Sequence, residues 1–573
     1  MEHHAAPQSG NPSLSLACGD PSPPLLDETI GGNFRRMAAL YPENEALVSC
    51  HQGVRLTYRD LDRQSHQLAS ALLRLGLAKG DRVGLWAHNR VEWLLLQIAT
   101  ARVGLILVNL NPAYRIAELE YALNRVGCRA LVTTTTFRTT SYLELLEELA
   151  PEIRTTPPGQ PLRLARLPSL QYVVQLGTKE RPGLLTFSEL FGRGDADDPE
   201  VDRVAATLTP DEPINLQFTS GTTGFPKGAT LTHRNLLNNG YFVGEAMRFT
   251  ARDRLCVPVP LYHCFGMVMG NLTCLSHGAT IVYPSEGFDA LAVLQAIRAE
   301  RCTALHGVPT MFIAELEHPR FTDFDLTSLR TGIMAGSPCP ITVMQRVVRD
   351  MHLAEITIAY GMTETSPVSC QSTPETPLKK RVSTVGVVQP HLQVKIVDPT
   401  TGTTVPRGRP GELCTRGYAV MRGYWEEPAR TQEVIDADGW MHTGDLATMD
   451  AEGYVNIVGR LKDMVSRGGE KIYPREVEEF LHRHPAVSDA QVIGVPDHKY
   501  GEELCAWIIL KRGQQATADS IREFCRSQIA YYKIPRYVKF VDAFPMTVTG
   551  KVQKFRMREI MRAELQLADE PTA

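Results

Sequence analysis

The 573-residue chain lacks several features that would direct its function elsewhere. It has twelve cysteines but no Cys-x-x-Cys pair. Their scatter, at Cys128, Cys256, Cys264, Cys339 and Cys505 among others, fits neither a disulfide framework nor a thiolate zinc site; buried thiols in a reducing compartment fit better. No apolar run reaches membrane-spanning length. The formal net charge is -4, so no overall basic excess points to nucleic acid or an anionic membrane. There is no internal repeat. Residues 1–25 are rich in Ser, Pro and Gly, carry Glu2 and Asp20, and are expected to be disordered. They have neither the basic start and apolar core of a secretory signal nor the Arg-rich bias of a mitochondrial presequence. A cytoplasmic location is expected, or the mitochondrial matrix if the amino terminus is processed.

What the chain does have is one dense polar stretch. Thr219, Ser220, Gly221, Thr222, Thr223, Gly224, Phe225, Pro226, Lys227 and Gly228 follow a short apolar run, Ile214 to Phe218, that reads as a strand. Glycines let backbone amides approach an anion, hydroxyls donate, and Lys227 adds a positive charge. The spacing is not that of a Walker A loop. A phosphate-handling loop explains the stretch better than a surface hairpin does.

Along the chain, strands alternate with helices of about ten residues, the pattern of parallel sheets with crossover connections. Examples are the strand Arg82 to Trp86, the helix Glu92 to Val103 and the strand Ile106 to Asn109. Residues 135–205 are less regular. From about Val385 turns become frequent and short alternating runs suggest a compact β region. The expected class is α/β: a large domain over 26–460 with parallel-type sheets, a β-rich subdomain over about 385–458, and a small α+β domain over 461–573.

An ordered set of motifs then becomes specific. Thr219 to Gly228 is followed by Tyr360-Gly361-Met362-Thr363-Glu364, Tyr424-Trp425, Trp440 to Asp445, Gly459 to Asp463, Gly468 to Pro474 and Pro545 to Lys551. The set resembles the adenylate-forming superfamily of acyl-CoA synthetases, adenylation domains and luciferases, over roughly residues 30–560. Within it, the likeness is greatest to medium-chain acyl-CoA ligases of the acyl-CoA synthetase family member 2 type. One departure is Phe225, at a loop position where relatives often carry a small polar residue.

The resemblance implies ATP, Mg²⁺ and coenzyme A as co-substrates or cofactors. It assigns Thr219 to Gly228, with Lys227, to the β- and γ-phosphates, Thr363 to a phosphate oxygen and Glu364 to the metal. Tyr360, with Gly361 and Met362 beside it, would stack on adenine against a wall of Gly336, Ser337 and Pro338. Asp445 would bind the ribose hydroxyls and Arg460 the ribose or phosphate. Lys551 would bridge the carboxylate and the α-phosphate, and the small domain would be mobile, pivoting at Lys462. Gly468, Gly469, Glu470 and Lys471 would form the loop on the coenzyme A side. His263 would gate the carboxylate, and the acyl pocket would be lined by His263, Phe265, Gly266, Met269, Val308, Gly336, Cys339, Gly361 and Val368. Few charges occur in those stretches, which fits an apolar acid better than an amino acid. Cys264 has no partner spacing for a covalent nucleophile.

Two readings stay open beside acyl-CoA ligation: loading of an acyl group onto a carrier protein's pantetheine, and a non-catalytic binding protein on the same fold. The chain is expected as a monomer or homodimer.

Overall fold

The structure is a computed structural model that describes residues 13–137, 139–219, 226–337, 339–467, 470–497, 499–526, 528–546 and 552–565, apart from the Lys471 side chain. Among the described residues two large mixed sheets dominate. The first has eight strands, in the order Leu184–Thr186, Tyr172–Gln175, Cys128–Thr133, Arg82–Trp86, Ile106–Asn109, Pro213–Thr219, Lys227–Thr232 and Gly423–Tyr424. Its first six strands run parallel, and the last two pair antiparallel. The second has nine, and its central run of Glu355–Gly361, Thr331–Met334, Ala304–Gly307, Arg254–Cys256, Thr280–Tyr283 and Glu45–Ser49 is parallel. Antiparallel strands close both of its ends.

Local sequence explains the helices between them. Tyr58–Arg74 starts on a capping box: the Thr57 hydroxyl accepts from the Asp60 N–H, and Asp60 Oδ2 accepts from the Thr57 N–H at 3.0 Å. His233–Ala246 does the same with Thr232 and Asn235. Val91–Arg102 is buried along almost its whole length, as its continuous apolar run requires. The largest apolar cluster joins these helices to strands of both sheets, with Trp93, Leu94, Leu236, Met267 and Ile333 all inside it. Phe265–Leu272 is a π-helix, a rare form that often occurs near functional sites. A Cβ on Gly266 would stand 2.5 Å from the Pro260 carbonyl oxygen, so close backbone packing there requires glycine.

The β-rich region forms a five-stranded antiparallel sheet, and one of its strands corrects the expectation for the amino terminus. Leu16–Cys18, assigned above to a disordered segment, pairs antiparallel with Leu392–Val397 at the sheet edge. Ser15 donates its N–H to Val405 O at 2.8 Å, and Gly19 donates to Leu392 O at 2.8 Å. Its partner is almost 400 residues away, so composition alone cannot reveal the pairing. The carboxy-terminal part is α+β. Strands Val465–Arg467, Glu470–Ile472, Val487–Asp497, Gly501–Leu510 and Tyr537–Phe540 carry helices Pro474–Leu481, Ala518–Cys525 and Lys554–Glu564. Buried Glu478 ties two of its layers, accepting from Lys554 Nζ at 2.5 Å and from the Val492 N–H at 2.8 Å.

Candidate active site

Two of the motifs lie at the carboxyl ends of parallel strands, where α/β sheets collect ligands. Thr331–Met334 and Glu355–Gly361 are parallel neighbours. Gly336 and Ser337 follow the first, while Tyr360 and Gly361 end the second. Gly336 adopts φ +89°, and a Cβ there would stand 3.0 Å from Val308 Cγ1. Gly361 is tighter, since a Cβ would fall 1.8 Å from the Pro367 carbonyl oxygen.

The polar loop is anchored from the neighbouring sheet. Pro213–Thr219 and Lys227–Thr232 pair antiparallel with Thr219 opposite Lys227, so both ends of the loop are held in register. Glu364 lies in the one-turn 3-10 segment Thr363–Thr365, with Thr363 half-buried beside it, and is only 4% exposed. Its Oε1 accepts two hydroxyl bonds, from Thr219 Oγ1 at 3.0 Å and Tyr424 Oη at 2.9 Å. The ring of Tyr424 carries Lys227 Nζ at 4.9 Å from its centroid. Burial, reinforced by the Glu364 carboxylate, holds the Tyr424 phenol well above its usual range. Tyr424 belongs to a recognised motif, yet it has no assigned role in the sequence reading. The structure makes it the element that links the lysine to the carboxylate. Among the described residues both donors land on Oε1, and a carboxylate oxygen such as Oε2 suits Mg²⁺.

A second cluster lies on the five-stranded sheet. Strands Met441–Met449 and Val455–Arg460 pair Asp445 with Arg460, and Arg460 Nε stands 3.2 Å from Asp445 Oδ1. Tyr360 Oη donates to Asp445 Oδ2 at 2.7 Å. Burial and this carboxylate push the Tyr360 phenol well above its ordinary value. The two strands that deliver Tyr360 and Asp445 come from different sheets. The Tyr360–Asp445 bond is therefore a seam across the site. Glycine serves the turn before Asp445, with φ +69° at Gly444, and Thr443 Oγ1 accepts from the Asp445 N–H at 3.1 Å.

The apolar residues assigned to the acyl pocket separate into two groups. Phe265, Met269, Val308 and Val368 share one cluster with Met267, Ala335 and Ala359, and Met362 packs against it. Cys339 instead packs in a neighbouring cluster with Met334 and Met344, so the structure does not bring it together with the others. Burial pushes its thiol up to about 12. His263 is half-buried, and its Nδ1 accepts from the Phe265 N–H at 3.2 Å. Cys264 Sγ donates to Gln217 Oε1 at 3.0 Å, a buried structural contact. His306 was missed by sequence reasoning. It packs against Phe265 with ring centroids 5.5 Å apart, and its Nε2 bonds Met269 O at 3.0 Å. Burial lowers it to about 4, so it is a neutral imidazole. A single histidine inside a short apolar strand offered no sequence signal.

Lys462 lies in the turn Leu461–Asp463, next to the Arg558–Asp463 ion pair at 2.7 Å. Glu470 is exposed on Glu470–Ile472. Ser220, Gly221, Thr222, Thr223, Gly224, Pro338, Gly468, Gly469 and Lys551 lie outside the described residues. The residues flanking Lys551 are described: Met546 and Val552 form an antiparallel bridge, and the Gln553 N–H donates to Pro545 O at 2.8 Å.

Comparison with known proteins gives this geometry a class. The AMP-binding enzyme family matches residues 34–425, and the AMP-binding enzyme C-terminal domain matches 476–551. The chain is 48% identical to YngI of Bacillus subtilis (strain 168), over 93% of this chain and 97% of that protein. It is 45% identical to the mitochondrial medium-chain acyl-CoA ligase ACSF2 of Danio rerio, over 97% and 91%. The crystal structure of the anthranilate CoA ligase AuaEII in complex with anthranoyl-AMP superposes with a TM-score of 0.85 at 27% identity, covering 95% of this chain and 99% of that one. The chain belongs to the AMP-binding enzyme family. Its activity is that of an acyl-CoA ligase, forming an acyl-adenylate from ATP and then a thioester with coenzyme A.

Proposed function

We propose that the acid activated is a medium-length, apolar carboxylic acid. The carrying observation is the apolar character of Phe265, Met267, Met269, Val308 and Val368, all part of the largest apolar cluster, with Val308 packed close to Gly336 at a strand end. Methionines make a compliant wall for a flexible chain. The name of the Danio rerio relative, a medium-chain ligase, supports the same reading.

In the first half-reaction a carboxylate oxygen attacks the α-phosphorus of ATP, and pyrophosphate leaves. Catalysis of that step is mostly charge neutralisation and alignment. The loop from Thr219 to Lys227 cradles the β- and γ-phosphates, and Thr363 donates to a phosphate oxygen. Glu364 would hold Mg²⁺, which would neutralise phosphate charge. Asp445 and Arg460 take the ribose, with Tyr360 against adenine and Gly336 to Pro338 opposite. Lys551 bridges the carboxylate and the α-phosphate.

In the second half-reaction the coenzyme A sulfur attacks the acyl carbon and AMP leaves. Rotation at Lys462 would exchange Lys551 for the loop from Gly468 to Lys471. The test is thioester formation with ATP and Mg²⁺ across acids from acetate to palmitate, plus benzoate and phenylacetate, with pyrophosphate followed in parallel. A medium-length optimum is expected. A preference for acetate or an aryl acid would overturn the substrate assignment, and pyrophosphate release without thioester would redirect the acyl group to a carrier-protein thiol.

A further inference from the structure

The sheet that delivers Asp445 carries a second set of potential metal ligands. Glu412 and Cys414 lie on strand Gly411–Gly417, and His442 lies on the neighbouring strand Met441–Met449, where it is the register partner of Cys414. One ligand atom from each of the three lies within 4.8 Å of the other two. Cys414 Sγ is 3.5 Å from His442 Nδ1, and His442 Nδ1 is 2.9 Å from Glu412 Oε2. A tetrahedral zinc ion, about 2.3 Å from sulfur and about 2.0 Å from nitrogen and oxygen, would set those separations at about 3.5 and 3.3 Å. The two separations that involve His442 therefore stand within about half an ångström of the spacing that such an ion requires, and the third pair lies within 4.8 Å.

The surroundings of the trio add two independent observations. His442 Nε2 has Asp436 Oδ2 3.6 Å away, so a carboxylate lies on the far side of the ring, where one could orient a metal-bound imidazole through its other nitrogen. Glu412 Oε1 is engaged by the Gly444 N–H at 3.0 Å, which fixes the carboxylate so that Oε2 faces the trio. One thiolate, one carboxylate and one neutral imidazole balance a doubly charged ion. Cys414 is buried, while His442 is 33% exposed, so a water could complete the coordination from the solvent side.

We propose that Glu412, Cys414 and His442 bind a zinc-type divalent cation, distinct from the magnesium that would accompany ATP. The site has a structural consequence for the nucleotide. Glu412 faces Leu446 and Cys414 faces His442, so Thr443, Gly444 and Asp445 stand opposite Leu413 alone. This bulge re-aims Asp445 toward Tyr360. A cation bridging the strands at the base of the bulge would hold it in shape.

Cobalt(II) is the probe. Full-length protein, stripped with chelator and dialysed, is titrated with Co²⁺ and followed by absorbance. Expected are a thiolate-to-cobalt charge-transfer band and intense tetrahedral d–d bands that saturate at about one ion per chain and are displaced by Zn²⁺. Cys414→Ser should abolish the charge-transfer band. His442→Asn, at a half-exposed position less able to disturb folding, should weaken Co²⁺ binding at least tenfold. Absence of the band in the wild-type protein would overturn the proposal, leaving His442 as a hydrogen-bond partner of Glu412 with Asp436 nearby. So would full retention of the band and of Co²⁺ affinity in His442→Asn.

Discussion

Replacing Tyr424 with phenylalanine isolates one hydroxyl at the centre of the proposed phosphate site. The ring remains, and with it the Lys227 contact at 4.9 Å. What disappears is one of the two hydroxyl bonds on Glu364 Oε1, the 2.9 Å bond from Tyr424, while the 3.0 Å bond from Thr219 stays. A hydrogen bond to a charged group contributes about 1.5–3 kcal/mol, and each 1.36 kcal/mol is tenfold, so kcat/KM for ATP should fall by about 10- to 150-fold. The assay is pyrophosphate release at saturating acid, with ATP and Mg²⁺ varied separately. The loss should appear in the ATP and Mg²⁺ dependence and not in KM for the acid. Thr219→Val should cause a similar loss, and the double variant should be non-additive, because both bonds converge on one oxygen. Tm should change by only a few degrees, since no buried donor or acceptor is left without a partner. A change below twofold in Tyr424→Phe, with Tm unchanged, would refute the role given to this contact. A large fall in Tm with a proportionate loss in every kinetic constant would mark the residue as structural.

Asp445→Asn should raise KM for ATP about tenfold or more while sparing KM for the acid, since it alters the oxygens that face Tyr360 and Arg460; initial-rate kinetics with each substrate varied would check it. Gly336→Ala puts a methyl 3.0 Å from Val308 Cγ1 at φ +89°, and should cost about 1–2 kcal/mol of stability. Relative kcat/KM for longer acids should also drop several-fold against shorter ones, measured across a chain-length series. In the carboxy-terminal part, burial raises Asp489 to about 7. The folded state then binds a proton more tightly than the unfolded chain, whose aspartate titrates near 4, so this residue's contribution is full below about pH 4 and is lost as pH rises toward 7. Asp489→Asn should flatten the fall in Tm over that window.

The parallel-sheet core was legible because its strands are short apolar runs that alternate with helices of about ten residues. The site residues were legible as an ordered set of motifs, which names positions but not contacts. Nothing in the order of residues says that Tyr424 reaches Glu364 across 60 positions, or that Tyr360 reaches Asp445 across 85. His306 and the Glu412, Cys414 and His442 group were invisible for the same reason, because their spacing in the chain matches no local template. Cys339 was assigned from its neighbours in sequence, and its side chain turned into a different apolar cluster. The edge strand Leu16–Cys18 was hidden by polar, turn-rich flanks that look unstructured until the partner strand is known.

That edge strand bears on how the protein can be shortened and handled. Leu16–Cys18 caps the hydrogen-bonding edge of Leu392–Val397. Trimming the amino terminus back to the first helix, Ile30–Leu40, would remove what looks like expendable tail and leave that row of backbone donors and acceptors unpaired. An unpaired edge recruits strands from other molecules. Shortened versions of this enzyme should lose solubility well before they lose their fold, and purification handles are better placed ahead of residue 13 than substituted for the residues that follow it.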